Sequence, residues 1–336
     1  DEELEKLQPD AEVFDAFILD KGSSLAQYIA VTLGARFCKP IIFYCGEEGH
    51  TNDNPTVPMA IDAISHLRYL NKEGFLALNP AELNEIVSML RIRKAVRESR
   101  VLRVSTKRMS HVDGNFNNPA QFTQRYGLEF RDVSISQFQK VFTQVRSDEQ
   151  VRVNAEQLAE TLMKNADKSH MNKEQMLPSI YFYFSVLQLM KEYRCNCFTA
   201  NCLDICLDTR IASQIKAVPC LTHSLLRDSG FGSSCEADLN ALLAIIIIMQ
   251  VSKKSVHMGN VYIKDFEQNL MYILHDVPCL KMRGFDTDNL PYEIKNFTVE
   301  GWGATLRYDY SRDIGEQVNI MRFNPAGTKV LITKGT

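Results

Sequence analysis

The sequence predicts an α/β protein that begins with two N-terminal α/β units and ends in a C-terminal α+β domain. The first observation is a strand-like run over 13–20, an apolar helical run over 25–37 and a second strand-like run over 40–45. Strand, helix and strand within about thirty residues make a βαβ unit, which indicates a Rossmann-like parallel sheet. The second observation is that strand-like segments follow one another after residue 270, which favours antiparallel β structure at the end of the chain.

Three domains follow from this pattern. We predict an N-terminal α/β domain over 1–98 and a second α/β domain over 99–195, which contains strand-like runs at 101–105 and 128–133. The third domain covers 196–336 and closes with a hairpin whose turn is Pro325-Ala326-Gly327. Polar loops over 46–50 and 105–119 follow predicted strands, where open α/β sheets bind ligands.

The composition is that of a soluble globular protein. Of 336 residues, 45% are apolar and 24% are charged, and the net charge of −3 gives no reason to expect nucleic acid or an anionic membrane as a partner. The longest apolar run, 241–249, is too short to span a bilayer. Nine cysteines, several of them within apolar runs, favour reduced thiols and a cytoplasmic location, and the acidic first residues do not resemble a signal peptide.

The most informative stretch covers 219–230 and 235–242, two helix-like runs separated by a small turn. The second run is predicted to open on Glu236 and Asp238 and to be fully apolar through Met249, so it must be buried. Two carboxylates at a helix start can both reach one hard cation such as Mg²⁺ or Mn²⁺. The alternative is that they cap the helix or match its dipole.

Two further side chains stand at the ends of predicted strands. His275 follows the apolar run 271–274, where a histidine can be a metal ligand, an acid–base group or a hydrogen-bonded structural residue. Asp204 follows the run 197–202, where an acid is presented to a site or simply begins a loop.

Other patterns point to different chemistry. The spacing of Cys195, Cys197, Cys202 and Cys206 lacks the paired C-x₂-C of zinc sites, so buried free thiols are favoured there. Cys220 and His223 would share one helix face, which leaves nucleophilic chemistry open. No glycine-rich dinucleotide fingerprint follows the first strand and no Walker-type sequence follows any strand, so we expect no nicotinamide cofactor.

The C-terminal third resembles a known enzyme family over 196–323. The residues that carry the resemblance run from Pro219-Cys220 through Asp228-x-Gly230 to Cys235-Glu236-x-Asp238, then Met258-Gly259-Asn260, then His275, followed by an antiparallel tail. This pattern is similar to the L-fucose isomerase and L-arabinose isomerase superfamily, and more closely to the fucose-isomerase-like proteins.

The resemblance implies a sugar isomerase that interconverts aldoses and ketoses through an ene-diol. It implies a divalent ion, Mn²⁺ or Mg²⁺, with Asp204, Glu236, Asp238 and His275 as the candidate ligands and Asp204 and Glu236 as the catalytic pair. It also implies a homo-oligomer, trimeric or hexameric, with a small sugar as substrate.

Several departures from the family pattern keep an alternative open, and one of them is that Leu203 stands where the family has its strand acid, with Asp204 one residue later. Asp276 stands where the family has a cysteine, and no histidine follows His275, although the family's metal-binding histidine lies beyond the β tail. The alternative is a catalytically inactive carbohydrate-binding or regulatory relative on the same scaffold.

Overall fold

The structure is a computed structural model, and it describes residues 5–6, 13–20, 24–46, 56–104, 118–206, 208–298 and 301–336. The chain forms two compact units, Asp1–Lys94 and Ala95–Thr336. The α/β prediction is confirmed, because the structure contains two parallel sheets, and antiparallel sheets follow near the C-terminus. The three predicted domains stay a prediction, and most of the two predicted polar loops, 47–50 and 105–117, lies outside the described residues.

The first unit is built on a three-stranded parallel sheet in the order β1-β2-β3. The central strand is an unbroken apolar run, Ile41-Ile42-Phe43, and all three side chains are buried, as expected for a strand covered on both faces. The sequence did not predict β3, whose Gly-Phe-Leu-Ala run contains no β-branched residue. The elements are β1 (Phe17–Asp20), α1 (Ser24–Phe37), β2 (Ile41–Tyr44), α2 (Thr56–Tyr69), β3 (Gly74–Ala77) and α3 (Pro80–Arg97).

The second unit is built on a four-stranded sheet in the order β5-β4-β7-β8, and every neighbouring pair is parallel. Its strands are β4 (Arg100–Val104), β5 (Glu129–Val133), β7 (Cys197–Ala200) and β8 (Gly232–Ser234). Because the strands are parallel, the carboxyl ends of β4, β7 and β8 meet at one edge of the sheet. The predicted second and third domains therefore contribute strands to the same sheet.

Helices cover this sheet. The longest, α7, contains Pro178 as its sixth residue and continues through it, with Asn172 and Gln175 closing a capping box at its first turn. The most apolar, α11, packs on β8 and is buried along most of its length, as its composition predicts. The helices are α4 (Pro119–Tyr126), α5 (Ile135–Ser147), α6 (Glu149–Asn165), α7 (Lys173–Glu192), α8 (Cys202–Cys206), α9 (Thr209–Ile215), α10 (Cys220–Asp228) and α11 (Leu239–Ser252).

Three antiparallel strand pairs complete the second unit. One of them, β13–β14, is the predicted C-terminal hairpin. Another, β9–β10, is a hairpin of which the sequence predicted only the second strand. The strands are β9 (Asn260–Asp265), β10 (Leu270–Leu274), β11 (Glu293–Asn296), β12 (Ala304–Arg307), β13 (Val318–Phe323) and β14 (Val330–Gly335), and the short β6 (Lys168–Ser169) adds to β11 in parallel.

A fully buried arginine holds the β9–β10 hairpin in place. The Arg227 guanidinium at the end of α10 donates from Nη1 to the carbonyl of Val256 at 2.8 Å and from Nη2 to that of Val277 at 2.5 Å. Its Nε donates back to the carbonyl of His223 at 3.1 Å. Val256 precedes β9 and Val277 follows β10, so this single side chain fixes both ends of the hairpin.

The neighbouring Asp228 reinforces the same corner. Its carboxylate accepts hydrogen bonds from the main-chain N–H groups of Leu280 and Lys281, each at 2.9 Å, and from the Ser255 hydroxyl at 2.7 Å. Burial raises the pKa of Asp228, which these donors and the Arg227 charge only partly offset. We call Arg227, Asp228 and the main-chain groups they bind the Arg227–Asp228 corner.

Candidate functional site

The candidate site lies where β7 and β8 end, at the carboxyl edge of the four-stranded sheet. Asn201 follows β7, and Glu236 comes two residues after β8. The main-chain N–H of Ala237 donates to the carbonyl of Ala200 at 2.9 Å, so the two strand ends are joined directly. This edge is where open α/β sheets bind small molecules.

Glu236 and Ala237 form a strained turn between β8 and α11. Both adopt left-handed backbone conformations, with φ of +61° and +55°, which cost free energy for residues other than glycine. The turn keeps Glu236 out of the helix, which begins at Leu239 with Asp238 as its N-cap. The prediction that the helix opens on both acids is therefore wrong, because Glu236 and Ala237 adopt left-handed conformations before the helix begins at Leu239.

Glu236 is the centre of the site. Its Oε1 lies 3.5 Å from Nε2 of His275 and accepts a hydrogen bond from Nδ2 of Asn260 at 3.3 Å. Both side chains of the Glu236–His275 pair are largely shielded, 13% and 9% exposed respectively. Burial raises the pKa of Glu236, but His275, Asn260 and the charge of Arg322 together outweigh it, so the net pKa lies below the ordinary value. Glu236 is therefore a shielded carboxylate at neutral pH.

Asp238 has a structural role. Its Oδ1 accepts the main-chain N–H of Ala241 at 2.9 Å, which caps α11, and its Oδ2 is ion-paired with the Arg322 guanidinium from β13. Asp204 lies within the short helix α8, and its main-chain N–H donates to the carbonyl of Asn201 at 3.2 Å.

The structure thus brings Glu236 and His275 together, and it engages Asp238 with protein donors. Across the described ranges, no group of three or more His, Cys, Asp or Glu side chains is arranged to hold a metal ion. Glu236 and His275 alone are fewer donors than a dedicated protein site for a divalent ion normally supplies. The Mn²⁺ or Mg²⁺ ion remains a prediction from the resemblance.

Two amide side chains of the site were missed by sequence reasoning. Asn260 has a signal, since it closes the Met258-Gly259-Asn260 motif of the resemblance. A Cβ at Gly259 would lie 2.7 Å from Cγ2 of Ile273, so the glycine lets this segment approach β10 closely enough to present Asn260. Asn201 has no comparable signal, because a single asparagine after a strand is usually part of a turn.

Asn201 is an unusual polar group at this edge. Its side chain is 1% exposed, and neither its amide oxygen nor its amide nitrogen has a hydrogen-bond partner. Nε2 of His275, at 3.5 Å from Glu236, likewise has no hydrogen-bond partner. A buried amide without partners costs roughly 1–3 kcal/mol. Such a group requires an explanation, and a bound polar molecule at the sheet edge would provide one.

A second layer of buried polar groups lies beneath the edge. His223 stacks on Phe198 with 5.3 Å between ring centres, and its Nδ1 is 2.7 Å from the Ser233 hydroxyl. Burial lowers the pKa of His223 well below its ordinary value, and it raises the pKa of Cys220 well above its own. A buried Cys220 thiol that resists ionisation does not suit nucleophilic chemistry with His223.

Comparison with known proteins adds no family assignment. Neither the protein-family models nor the curated proteins compared with the chain include a match. Among the described residues, no helix combines the length and apolar character needed to cross a bilayer. The resemblance of the C-terminal third to the L-fucose isomerase and L-arabinose isomerase superfamily therefore stays a prediction, and the chemistry of the site has to support any proposed function.

The buried histidines predict a steep loss of stability in acid. Burial lowers the pKa of His257 to about 3, and that of His223 is also lowered. Between the ordinary histidine pKa of 6.5 and about pH 5, above the range in which most carboxylates titrate, the unfolded chain therefore binds protons at these two histidines that the native state does not. Stability must fall as pH decreases, by about 1.4 kcal/mol per pH unit for each fully excess proton.

We expect urea unfolding of the Ala95–Thr336 unit to show this slope between pH 6.5 and about pH 5. The His257→Gln variant should show about half of the slope, because one of the two excess protons is removed. An unchanged slope in that variant would mean that His257 is not held neutral.

A second prediction concerns Asn201. Leucine is close to asparagine in size, so Asn201→Leu should stabilise the protein by roughly 1–3 kcal/mol, because it removes an unpaired buried amide. Thr199→Val is the matched control, since the Thr199 hydroxyl donates to the carbonyl of Ser234 at 2.8 Å and its loss should destabilise by about 1 kcal/mol. Urea unfolding measures both, and a loss of stability in Asn201→Leu comparable to the control would show that the amide is satisfied.

Proposed function

We propose that this protein binds a sugar at the carboxyl edge of its four-stranded sheet and interconverts its aldose and ketose forms. The observation that carries the proposal is the shielded carboxylate of Glu236 in contact with His275 and Asn260. The resemblance in the C-terminal third supports the choice of reaction class. The unpartnered amide of Asn201 supports a ligand rich in hydroxyl groups, because hydroxyls both donate to and accept from an amide.

The reaction requires a base and a second group that transfers a proton between the substrate oxygens. An aldose becomes a ketose when the proton on the carbon next to the carbonyl is removed, an ene-diol forms, and a proton is returned to the neighbouring carbon. Glu236 suits the first task, since its lowered pKa keeps it unprotonated at neutral pH. His275 lies within 3.5 Å of that carboxylate and can exchange a proton with it or with a substrate oxygen.

The metal expected from the resemblance would supply positive charge that stabilises the enediolate. Glu236 and His275 are the candidate ligands that lie together, but two donors are too few to assign a metal centre. The proton transfers are therefore assigned to the side chains alone.

A second candidate function is sugar binding without turnover. It is favoured by the engagement of Asp238 with Arg322, which takes one of the expected carboxylates out of the chemistry. It keeps Glu236, Asn260 and Asn201 as hydroxyl-binding groups. It differs from the first candidate in predicting a ligand-induced stabilisation without a ketose product.

The test is a panel of pentoses and 6-deoxyhexoses, with and without Mn²⁺, assayed for ketose formation and for a shift in melting temperature. We expect turnover of at least one aldose and a fall of at least about 100-fold in Glu236→Gln, because a positioned acid–base group contributes that much. The matched control is Glu267→Gln, which makes the same change on the exposed β9–β10 turn and should leave the rate unaltered.

The outcomes separate the two candidates. Stabilisation by a sugar without product, lost in Glu236→Gln and kept in Glu267→Gln, would favour the binding protein. A stabilisation by Mn²⁺ that disappears in Glu236→Gln would restore the metal to the site. The proposal would be contradicted if no sugar of the panel were bound and none were turned over.

A further inference from the structure

The chain contains a single tryptophan, Trp302, in the turn between β11 and β12. Its side chain is partly buried and packs against an apolar cluster of the second unit. We call this cluster the Trp302 cluster, and its buried members are Cys202, Val218, Cys220, Cys235, Ile245, Met249, Met258 and Val277.

The Trp302 cluster adjoins every polar residue of the candidate site. Four of its members are close chain neighbours of those residues: Cys202 follows Asn201, Cys235 precedes Glu236, Met258 lies two residues before Asn260, and Val277 lies two residues after His275. The same four segments therefore supply the polar groups of the site and much of the apolar cluster. Binding sites for small molecules combine such an apolar wall with a few well-placed polar groups.

The glycines on both sides of Trp302 hold its turn against this cluster. Gly301 and Gly303 have φ of +84° and +80°, a region that residues other than glycine rarely adopt. A Cβ at Gly303 would lie 3.0 Å from Cγ2 of Val218, so the glycine allows a close approach to the cluster. The main-chain N–H of Trp302 donates to the Thr298 hydroxyl at 3.2 Å. The position of Trp302 is therefore fixed by packing and by hydrogen bonding.

The topology places this contact at the carboxyl edge of the four-stranded sheet. Val218 lies two residues before α10, the helix that leads into β8. Because β7 and β8 are parallel, a helix that leads into β8 runs back across the sheet and begins at the edge where the strands end. The turn of Trp302 therefore meets the edge at which Glu236 lies.

We propose that the indole ring of Trp302 forms the apolar wall against which the sugar packs, which makes Trp302 a substrate-binding residue. This role rests on the proposed function, because it requires a sugar at the carboxyl edge. Trp302 is not among the residues that carry the family resemblance.

The indole complements the amides of the site, because a sugar ring has two chemically different surfaces. Its hydroxyl groups require partners that donate and accept hydrogen bonds, as the amides of Asn201 and Asn260 do. Its C–H groups form apolar patches on the faces of the ring, and a flat aromatic side chain can cover them without desolvating a polar group. The N–H of the indole can in addition donate to a hydroxyl at the edge of the ring.

The fluorescence of the single tryptophan tests this role directly. Wild type is titrated with each pentose and each 6-deoxyhexose of the panel. We expect at least one sugar to shift the emission of Trp302 to shorter wavelength, because the bound ring excludes water from the indole. The shift should saturate, and its midpoint should agree with the Kd of the same sugar measured by calorimetry.

The Trp302→Leu variant keeps an apolar side chain on the cluster and removes the flat ring. We expect it to raise the Kd of the sugar at least about 10-fold, which is the scale of one flat ring stacked on an aromatic side chain. For a sugar that is turned over, KM should rise with Kd while kcat changes by less than about threefold, because the interaction is made equally in the ground state and the transition state. Trp302→Phe retains a ring and should raise the Kd less than Trp302→Leu does.

The matched control is Phe285→Leu. Phe285 packs against the same cluster at the other end of α11, where its main-chain N–H donates to the carbonyl of Lys253 at 3.3 Å. This variant loses an aromatic ring from the cluster far from Glu236, so the Kd of the sugar should stay at the wild-type value.

Two results would overturn the role of Trp302 and leave the proposed function standing. One is an unchanged emission of wild type at sugar concentrations that raise its melting temperature, and this measurement needs no variant to fold. The other is an equal Kd in Trp302→Leu and Phe285→Leu, with circular dichroism showing that both are folded. If wild type binds no sugar of the panel, the proposed function is contradicted and the role of Trp302 with it.

Discussion

The arrangement of the candidate site depends on the Arg227–Asp228 corner. A fully buried guanidinium carries a large desolvation cost, and it is tolerated here because its hydrogen bonds go to main-chain carbonyls at both ends of the β9–β10 hairpin. Asp228 binds the following loop through two N–H groups. The corner thereby sets the positions of Asn260 and His275, which lie just inside the tethered ends. Without it, Glu236 would lose its contacts with His275 and Asn260.

Glu236 reaches the same place from the end of β8 in the four-stranded sheet. The parallel sheet brings β7 and β8 to a common edge, and two left-handed residues turn the chain so that Glu236 stays outside the buried helix α11. The strain of that turn and the burial of the carboxylate both cost free energy, and His275 and Asn260 offset part of it. The strained backbone of Glu236 and Ala237 and the unpaired amide of Asn201 lie at the same edge of the sheet. Such unfavourable features are typical of a binding site rather than of a packed core.

The sequence could predict the parts that depend on local pattern. The βαβ opening, the apolar helix α11 and the C-terminal hairpin all have clear periodicity or turn residues, and Glu236 and His275 were identified from their positions after or before apolar runs. The sequence could not predict which side chains the acidic residues contact. The choice between Asp238 as a ligand and as a cap depends on Arg322, which lies 84 residues away along the chain. Asn201 was missed because its significance is the absence of a partner, which only tertiary structure reveals.

The most direct test of this account is the titration of the Glu236 carboxyl group, followed by ¹³C NMR in wild type and in the His275→Asn variant. The account predicts a wild-type pKa below the ordinary glutamate value, because His275, Asn260 and Arg322 outweigh burial. It predicts a higher pKa in the variant, because burial remains while the largest opposing interaction is lost. Equal pKa values in the two proteins would show that Glu236 and His275 do not interact, and the proposed proton-transfer pair would then be wrong.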